Sequence, residues 1–258
     1  MSGVSAERAD TPVTDQTFGN RTRETLKLSL RRVLRRADLD LTRGAYANRV
    51  AATLRACDID ALLDVGANVG QYAVMTRQAG FAGRMVSCEP LSGAFAELSR
   101  RAARDAGWTV VRSAVGRHVG ETTINMAANS FSSSVLPMAQ THVVSAPGSG
   151  YVGAETVPMT TIQDLVVEHG LEPARTLLKI DTQGYEGEVL AGAGDLVTEF
   201  GALQLELSFV ELYVGQPLFD ELYQRVRDWG YRLQSIEPGF SDANGRLMQC
   251  DGLFVRSS

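Results

Sequence analysis

The chain has 258 residues, 44% of them hydrophobic, and a formal net charge of −5. It is long enough for one large domain with a substantial core, and its acidic balance argues against a general nucleic-acid binder. Three scattered cysteines, Cys57, Cys88 and Cys250, form no C-x-x-C pair and argue against a disulfide or zinc framework. No apolar run approaches the roughly 20 residues of a membrane span, and no charged-then-apolar leader opens the chain, so the cytoplasm is the expected compartment.

Residues 1–20 are polar and read as a flexible tail. Residues 21–36 carry seven basic residues and one acid. Leu26, Leu30, Val33 and Leu34 recur there at helical spacing, which predicts a basic amphipathic helix. Its arginines face water in the plainer reading and meet an anionic lipid surface or acidic substrate in the sharper one. A second helix is expected over Thr42–Cys57, with Tyr46, Val50 and Leu54 on one stripe. Together, residues 21–58 read as a helical cover on a catalytic domain over 59–258.

From there strands and helices alternate. Strands are expected near 61–65, 84–88, 109–112, 176–180 and 202–207. Helices are expected near 71–78, 92–105, 162–169, 186–193 and 218–229. Such alternation predicts an α/β fold with a doubly wound, mostly parallel sheet. Two late strand-like runs, 232–236 and 249–255, flank a turn-rich stretch and read as an antiparallel C-terminal hairpin on the sheet edge. That layout is the one found in class I methyltransferases, which are Rossmann-like. Residues 127–154 interrupt the alternation with Ser, Asn, Gly and Pro and read as an active-site lid or substrate loop.

Three constellations carry chemistry. Asp64-Val65-Gly66-Ala67-Asn68-Val69-Gly70 follows an apolar run, and Glu89 ends the next one. Small residues at a strand-to-helix turn admit a ligand to the backbone, and an acid about 20 positions on can hold a ribose. The turn lacks the third glycine of a pyrophosphate cradle, which suits a cofactor without phosphate such as S-adenosylmethionine. Here Asp64 is expected to receive the cofactor's ammonium, directly or through water. Gly66, Ala67, Asn68 and Gly70 would line the turn, Glu89 would accept both ribose hydroxyls, and Ser113 and Ala114 would complete the set. Alternatively the unit is an ordinary strand-turn-helix junction.

The second constellation, Lys179-Ile180-Asp181-Thr182-Gln183-Gly184, places Asp181 at a strand end facing the same crevice, as a helix cap or a catalytic acid–base group. The third is Glu206 between two leucines, where a charge requires a polar cleft or a partner. His142, in the long loop, has an ordinary pKa suited to proton transfer and joins Asp181 as a candidate base, with Glu206 orienting the acceptor. A divalent metal on Asp181, Glu206 and a histidine is a less favoured arrangement.

With Asn129, Ser132-Ser133-Ser134, Glu89-Pro90 and Gln249-Cys250-Asp251-Gly252-Leu253-Phe254-Val255, these motifs resemble the FkbM-type methyltransferases over about residues 61–256. The resemblance implies a class I methyltransferase fold, S-adenosylmethionine, and methylation of a hydroxyl on a glycolipid sugar or a natural-product scaffold. Many members carry an acid where this chain has Gln183, so a mechanism needing a second carboxylate at that turn would not transfer. The competing classes are an N-methyltransferase acting on a small molecule, a nicotinamide-dependent oxidoreductase, and a binding module that has lost catalysis. The sequence is silent on oligomeric state.

Overall fold

The structure is a computed structural model that describes residues 42–257. The expected tail over 1–20 and the basic helix over 21–36 lie outside the described residues. Contacts divide the chain into Met1–Ala45 and Tyr46–Ser258. Of the first unit, residues 42–45 are described, and they open helix α1, Thr42–Ala56. In the second unit, Tyr46, Val50 and Leu54 of that helix are buried together with Leu62 and Met85.

The main sheet is built from short apolar runs closed by turn residues. Strand β1, Ala61–Val65, is buried along its whole length, as a parallel strand covered on both faces must be. Strands β2 (Arg84–Cys88) and β3 (Trp108–Val111) lie to one side. Strands β7 (Thr176–Ile180) and β8 (Ala202–Ser208) lie to the other. The late hairpin, β9 (Tyr231–Pro238) and β10 (Gln249–Arg256), completes the order β3-β2-β1-β7-β8-β10-β9. Strands β1, β2, β3, β7 and β8 are parallel, while β10 is antiparallel to both of its neighbours. The hairpin turns back inward, so β9 rather than β10 forms the edge.

Helices follow most strands: α2 (Gln71–Gln78), α3 (Ser92–Ala102), and, numbered in chain order past the insertion below, α5 (Ile162–Glu168), α6 (Glu186–Ala191) and α7 (Phe219–Asp228). Side chains alternate across each strand, which splits the core. Leu63, Val65, Leu178, Ile180, Leu203 and Leu205 pack on one face; Leu62, Leu177 and Ala202 pack on the other with α1 and α2.

The stretch expected as a long loop is structured, and it belongs to a second sheet. Strands β4 (Ala114–Val115), β5 (Gly120–Ala127) and β6 (Tyr151–Thr160) form a three-stranded sheet in the order β4-β6-β5. The connection between β5 and β6 holds a 3-10 turn at Ser130–Ser132, helix α4 (Gln140–Ser145) and a second 3-10 turn at Pro147–Ser149. The long ladder of β5 with β6 supplies the backbone pairing that a bare loop would lack. Among the described residues, no helix is long and apolar enough to cross a membrane.

Candidate active site

Register alone brings the sequence motifs together. Val65 is the pairing partner of both Cys88 on β2 and Ile180 on β7. The next residue on each strand is therefore Gly66, Glu89 or Asp181, side by side beyond the carboxyl ends of three adjacent strands. β1 is where the strand order reverses, the place where open α/β sheets bind ligands. Ile180 in turn pairs with Leu205, which sets Glu206 beside Asp181. Asp251 on β10 is directly opposite Glu206.

A cavity of about 500 Å³ opens at this point, within the size range of small-molecule sites. Its wall includes Gly66, Asn68, Glu89, Ser113, Ala114, His142, Asp181 and Glu206. Among the described residues, no lysine or arginine lines it.

The glycine turn is held from below. Gly66 has φ +75°, and a Cβ there would sit 1.8 Å from the Asp181 carbonyl oxygen, so only glycine lets the two strand ends approach. The Gly66 and Ala67 N–H groups donate to the Cys88 carbonyl. Asn68, also in the left-handed region at φ 49°, donates its side-chain amide to the Ser130 carbonyl at 3.0 Å. Ala67 is buried in the cluster on the α1–α2 face, and Gly70, the N-cap of α2, lies against Leu98 and Trp108; both shape the turn from outside the cavity wall.

Glu89 is buried with its carboxylate on the cavity. One oxygen accepts the Asn68 N–H and the other the Leu91 N–H, each at 2.9 Å. Burial pushes its carboxyl up to about 7, against the pull of those two backbone N–H groups and Lys179. Each oxygen keeps acceptor capacity for a further donor.

Asp64 is a correction. It is fully buried and does not reach the cavity wall. Strand alternation turns it to the α1–α2 face, where Lys179, its pairing partner on β7, holds it at 3.0 Å. A direct contact with a ligand's ammonium is not available from that position. The pair belongs to a polar row of register partners, Ser87, Asp64, Lys179 and Gln204, crossing four strands inside the apolar core. Trp108 Nε1 donates to Ser87 at 2.9 Å at one end, and the Tyr72 hydroxyl donates to Gln204 at 2.6 Å at the other. Burial alone would depress the Lys179 ammonium; Asp64 and Asp181 outweigh it and hold the amine well above its usual value. Lys179 also donates to the Gly66 carbonyl at 3.1 Å. Asp64 thus acts on the turn at one remove.

Asp181 is partly exposed in the cavity. Its Oδ1 accepts from Gln183 Nε2 at 2.9 Å, and its Oδ2 lies 3.5 Å from Lys179 Nζ. The same Gln183 Nε2 donates to Glu206 Oε2 at 2.8 Å. Burial raises the Glu206 carboxyl well above the usual range, and Asp181, Glu186 and Asp251 add to this. Burial likewise brings Asp251 to about 7. No group of three or more His, Cys, Asp or Glu side chains among the described residues is arranged to hold a metal ion.

His142 is on α4, buried and in the cavity wall. It packs edge-on against Tyr213 at 5.1 Å, and its Nδ1 has no hydrogen-bond partner. Burial lowers its pKa, which favours the neutral ring. Ser113 lines the cavity, but its hydroxyl donates within the protein, toward the carbonyls of Ala114 at 2.8 Å and Pro158 at 3.1 Å. Ala114 offers an apolar wall on β4. Sequence reasoning did not find Tyr213 or the bridging part of Gln183; Gly184, at φ +94°, marks that turn as special, because a Cβ there would collide with Tyr213 at 2.9 Å.

The sequence matches the model of the methyltransferase FkbM domain over residues 64–233. No curated protein matches. Among solved structures, the fold is similar to a Synechocystis magnesium protoporphyrin IX methyltransferase with bound SAM, at 13% identity over 83% of this chain and 79% of that one, TM-score 0.43. It is similar to a Geobacter metallireducens precorrin-6y C5,15-methyltransferase, at 13% identity over 81% of this chain and 85% of that one, TM-score 0.42. A Burkholderia thailandensis 1,6-didemethyltoxoflavin-N1-methyltransferase gives 11% identity over 97% of this chain and 94% of that one, TM-score 0.41.

Proposed function

This chain belongs to the methyltransferase FkbM family, and from that premise we propose that it carries a methyl group from S-adenosylmethionine to a hydroxyl of a sugar-containing or natural-product acceptor. The observation that carries the reading is the cavity itself. Glu89, Asp181 and Glu206 line it, and no lysine or arginine among the described residues does. Such a wall suits a ligand with positive charge and ribose hydroxyls. It is a poor host for a pyrophosphate, which counts against a nicotinamide cofactor.

The residues divide the work. Glu89 accepts the ribose hydroxyls through the lone pairs its two backbone donors leave free. Gly66 and Asn68 bring backbone to the methionine part, and Lys179 fixes the Gly66 carbonyl. Ala114 and Leu91 offer apolar wall to the adenine ring. The donor, when bound, supplies a sulfonium-activated methyl group open to in-line displacement. Alignment of the acceptor oxygen along that line is the cavity's main contribution, worth roughly 7–11 kcal/mol of barrier in well-oriented systems. The attacking hydroxyl loses its proton to Asp181 or to the neutral ring of His142, a step worth on the order of 100- to 10,000-fold. Glu206 orients the hydroxyl.

Calorimetry with S-adenosylhomocysteine on the full-length protein tests the donor, and methyl transfer from labelled S-adenosylmethionine to a panel of glycosides and hydroxylated natural products tests the acceptor. Absence of any S-adenosylhomocysteine binding would sink the reading. Methylation confined to amines in that panel would move it to nitrogen transfer.

A further inference from the structure

Gln183 makes more contacts than a turn residue needs. Its φ is +56°, in the left-handed region, which is costly for a side chain of this size. What holds it there is a closed set of hydrogen bonds. Nε2 donates to Asp181 Oδ1 at 2.9 Å and to Glu206 Oε2 at 2.8 Å. Oε1 accepts the Tyr213 hydroxyl at 2.8 Å. The backbone carbonyl accepts the Ser134 hydroxyl at 2.7 Å. Both amide hydrogens and both carbonyls are used. The orientation is fixed by chemistry, because the reversed amide would aim an oxygen at two carboxylates and a nitrogen at a hydroxyl donor.

Asp181 and Glu206 are neighbouring acids at the ends of adjacent strands, and they share this cluster with Asp251 and Glu186. Lys179, at 3.5 Å from Asp181, is the cation within ion-pair distance of the pair. Two neighbouring carboxylates disfavour each other's ionisation. The amide places a donor on each.

We propose that Gln183 is the positioning residue of this site: its amide, steered by the Tyr213 hydroxyl, clamps Asp181 and Glu206 in fixed orientations, supplies hydrogen-bond donors between the two acids, and holds Asp181, with its Oδ2 toward Lys179, in the cavity wall where the acceptor would lie. An acid at position 183 could do none of this at neutral pH without taking up a proton of its own. The inference rests on the methyl-transfer reading only in naming Asp181 as the group that serves the acceptor; the clamp itself is a property of the free protein.

The test is a titration of carboxyl-labelled Glu and Asp followed by NMR on the full-length protein without ligand, with signals assigned through Glu206→Gln and Asp181→Asn. The groups facing Glu206 are Asp181, Glu186 and Asp251, with Lys179 behind Asp181, and all are present in each variant compared. Replacing Gln183 by Ala removes two donors, so the Glu206 titration is expected to move upward from its wild-type position. Tyr213→Phe, which removes only the steering hydroxyl, should move Glu206 the same way by less. Gln183→Glu keeps the shape and reverses the chemistry, and should also move Glu206 upward. An unchanged Glu206 titration in the folded variants would overturn the clamp. If Gln183→Ala does not fold, Tyr213→Phe and Gln183→Glu decide the question. Failure of the wild-type protein to bind S-adenosylhomocysteine would sink the methyl-transfer reading and leave this titration result standing.

Discussion

At the scale of single residues, Glu89 is the side chain on which cofactor recognition turns in the proposed reading. With its carboxyl raised to about 7, chiefly by burial, it is an ionised acceptor above that pH and half a donor below it. Affinity for S-adenosylhomocysteine is therefore expected to fall as pH is lowered through 7. Glu89→Gln should weaken binding by roughly 10- to 150-fold, the loss of one strong hydrogen bond to a charged group, and flatten that pH dependence; calorimetry at pH 6 and 8 reads both. Glu89, Asp181 and Glu206 stood out in the sequence because the first two end apolar runs and the third interrupts one, and register carries all three to the wall of one cavity. Asp64 is set back from the cavity wall for a reason that strand geometry explains. Position 64 shares its side of β1 with Leu62, not with Leu63 and Val65, so it faces Lys179 rather than the cavity. The bridge at Gln183 was not legible, since its partners Tyr213 and Glu206 are 30 and 23 positions away along the chain.

At the scale of elements, the row Ser87, Asp64, Lys179 and Gln204 ties four strands together beneath the cavity. Removing one member of a buried ion pair typically costs about 3–5 kcal/mol, because the other charge is left uncompensated. Lys179→Met is expected to lose that much in urea unfolding, and Lys179→Met with Asp64→Leu to recover most of it. The main sheet could be read from sequence because its strands are short apolar runs bounded by glycine and proline. The second sheet could not. Strand β5 is largely polar, β6 carries Gly153 and Pro158, and Ile124 and Val157 are among the few side chains that they bury. The connection between them is pinned to the motif turns by Asn68 to Ser130 and Ser134 to Gln183. These anchors are few beside the ladders of β1 and β7. Amides over 128–150 should exchange hydrogen faster than those of the central strands, and slow when S-adenosylhomocysteine is added. Equal protection without ligand would refute this.

At the scale of the whole molecule, carboxyls raised by burial outweigh those held low. Glu89, Glu186 and Asp251 stand at about 7, above the ordinary range near 4 of the unfolded chain. Asp105 and Glu188, held low by Arg77 and Arg117, are at the surface, where such pairs contribute little. Between about pH 4 and 7 the native state therefore binds more protons than the unfolded state, so its stability declines as pH rises through that window. The ligand-free protein is expected to melt at a higher temperature at pH 6 than at pH 8, as calorimetry would show. A cationic ligand should narrow the gap, since it replaces the missing protons.

A cavity walled by acids, with no lysine or arginine among the described residues, also bears on what happens after transfer. On the proposed chemistry the donor arrives as a sulfonium and departs as a thioether, one positive charge poorer. The wall that drew it in no longer attracts its sulfur, so the spent molecule leaves more readily than the fresh one. The same arrangement that recruits the reagent thus works against its own inhibition by the by-product.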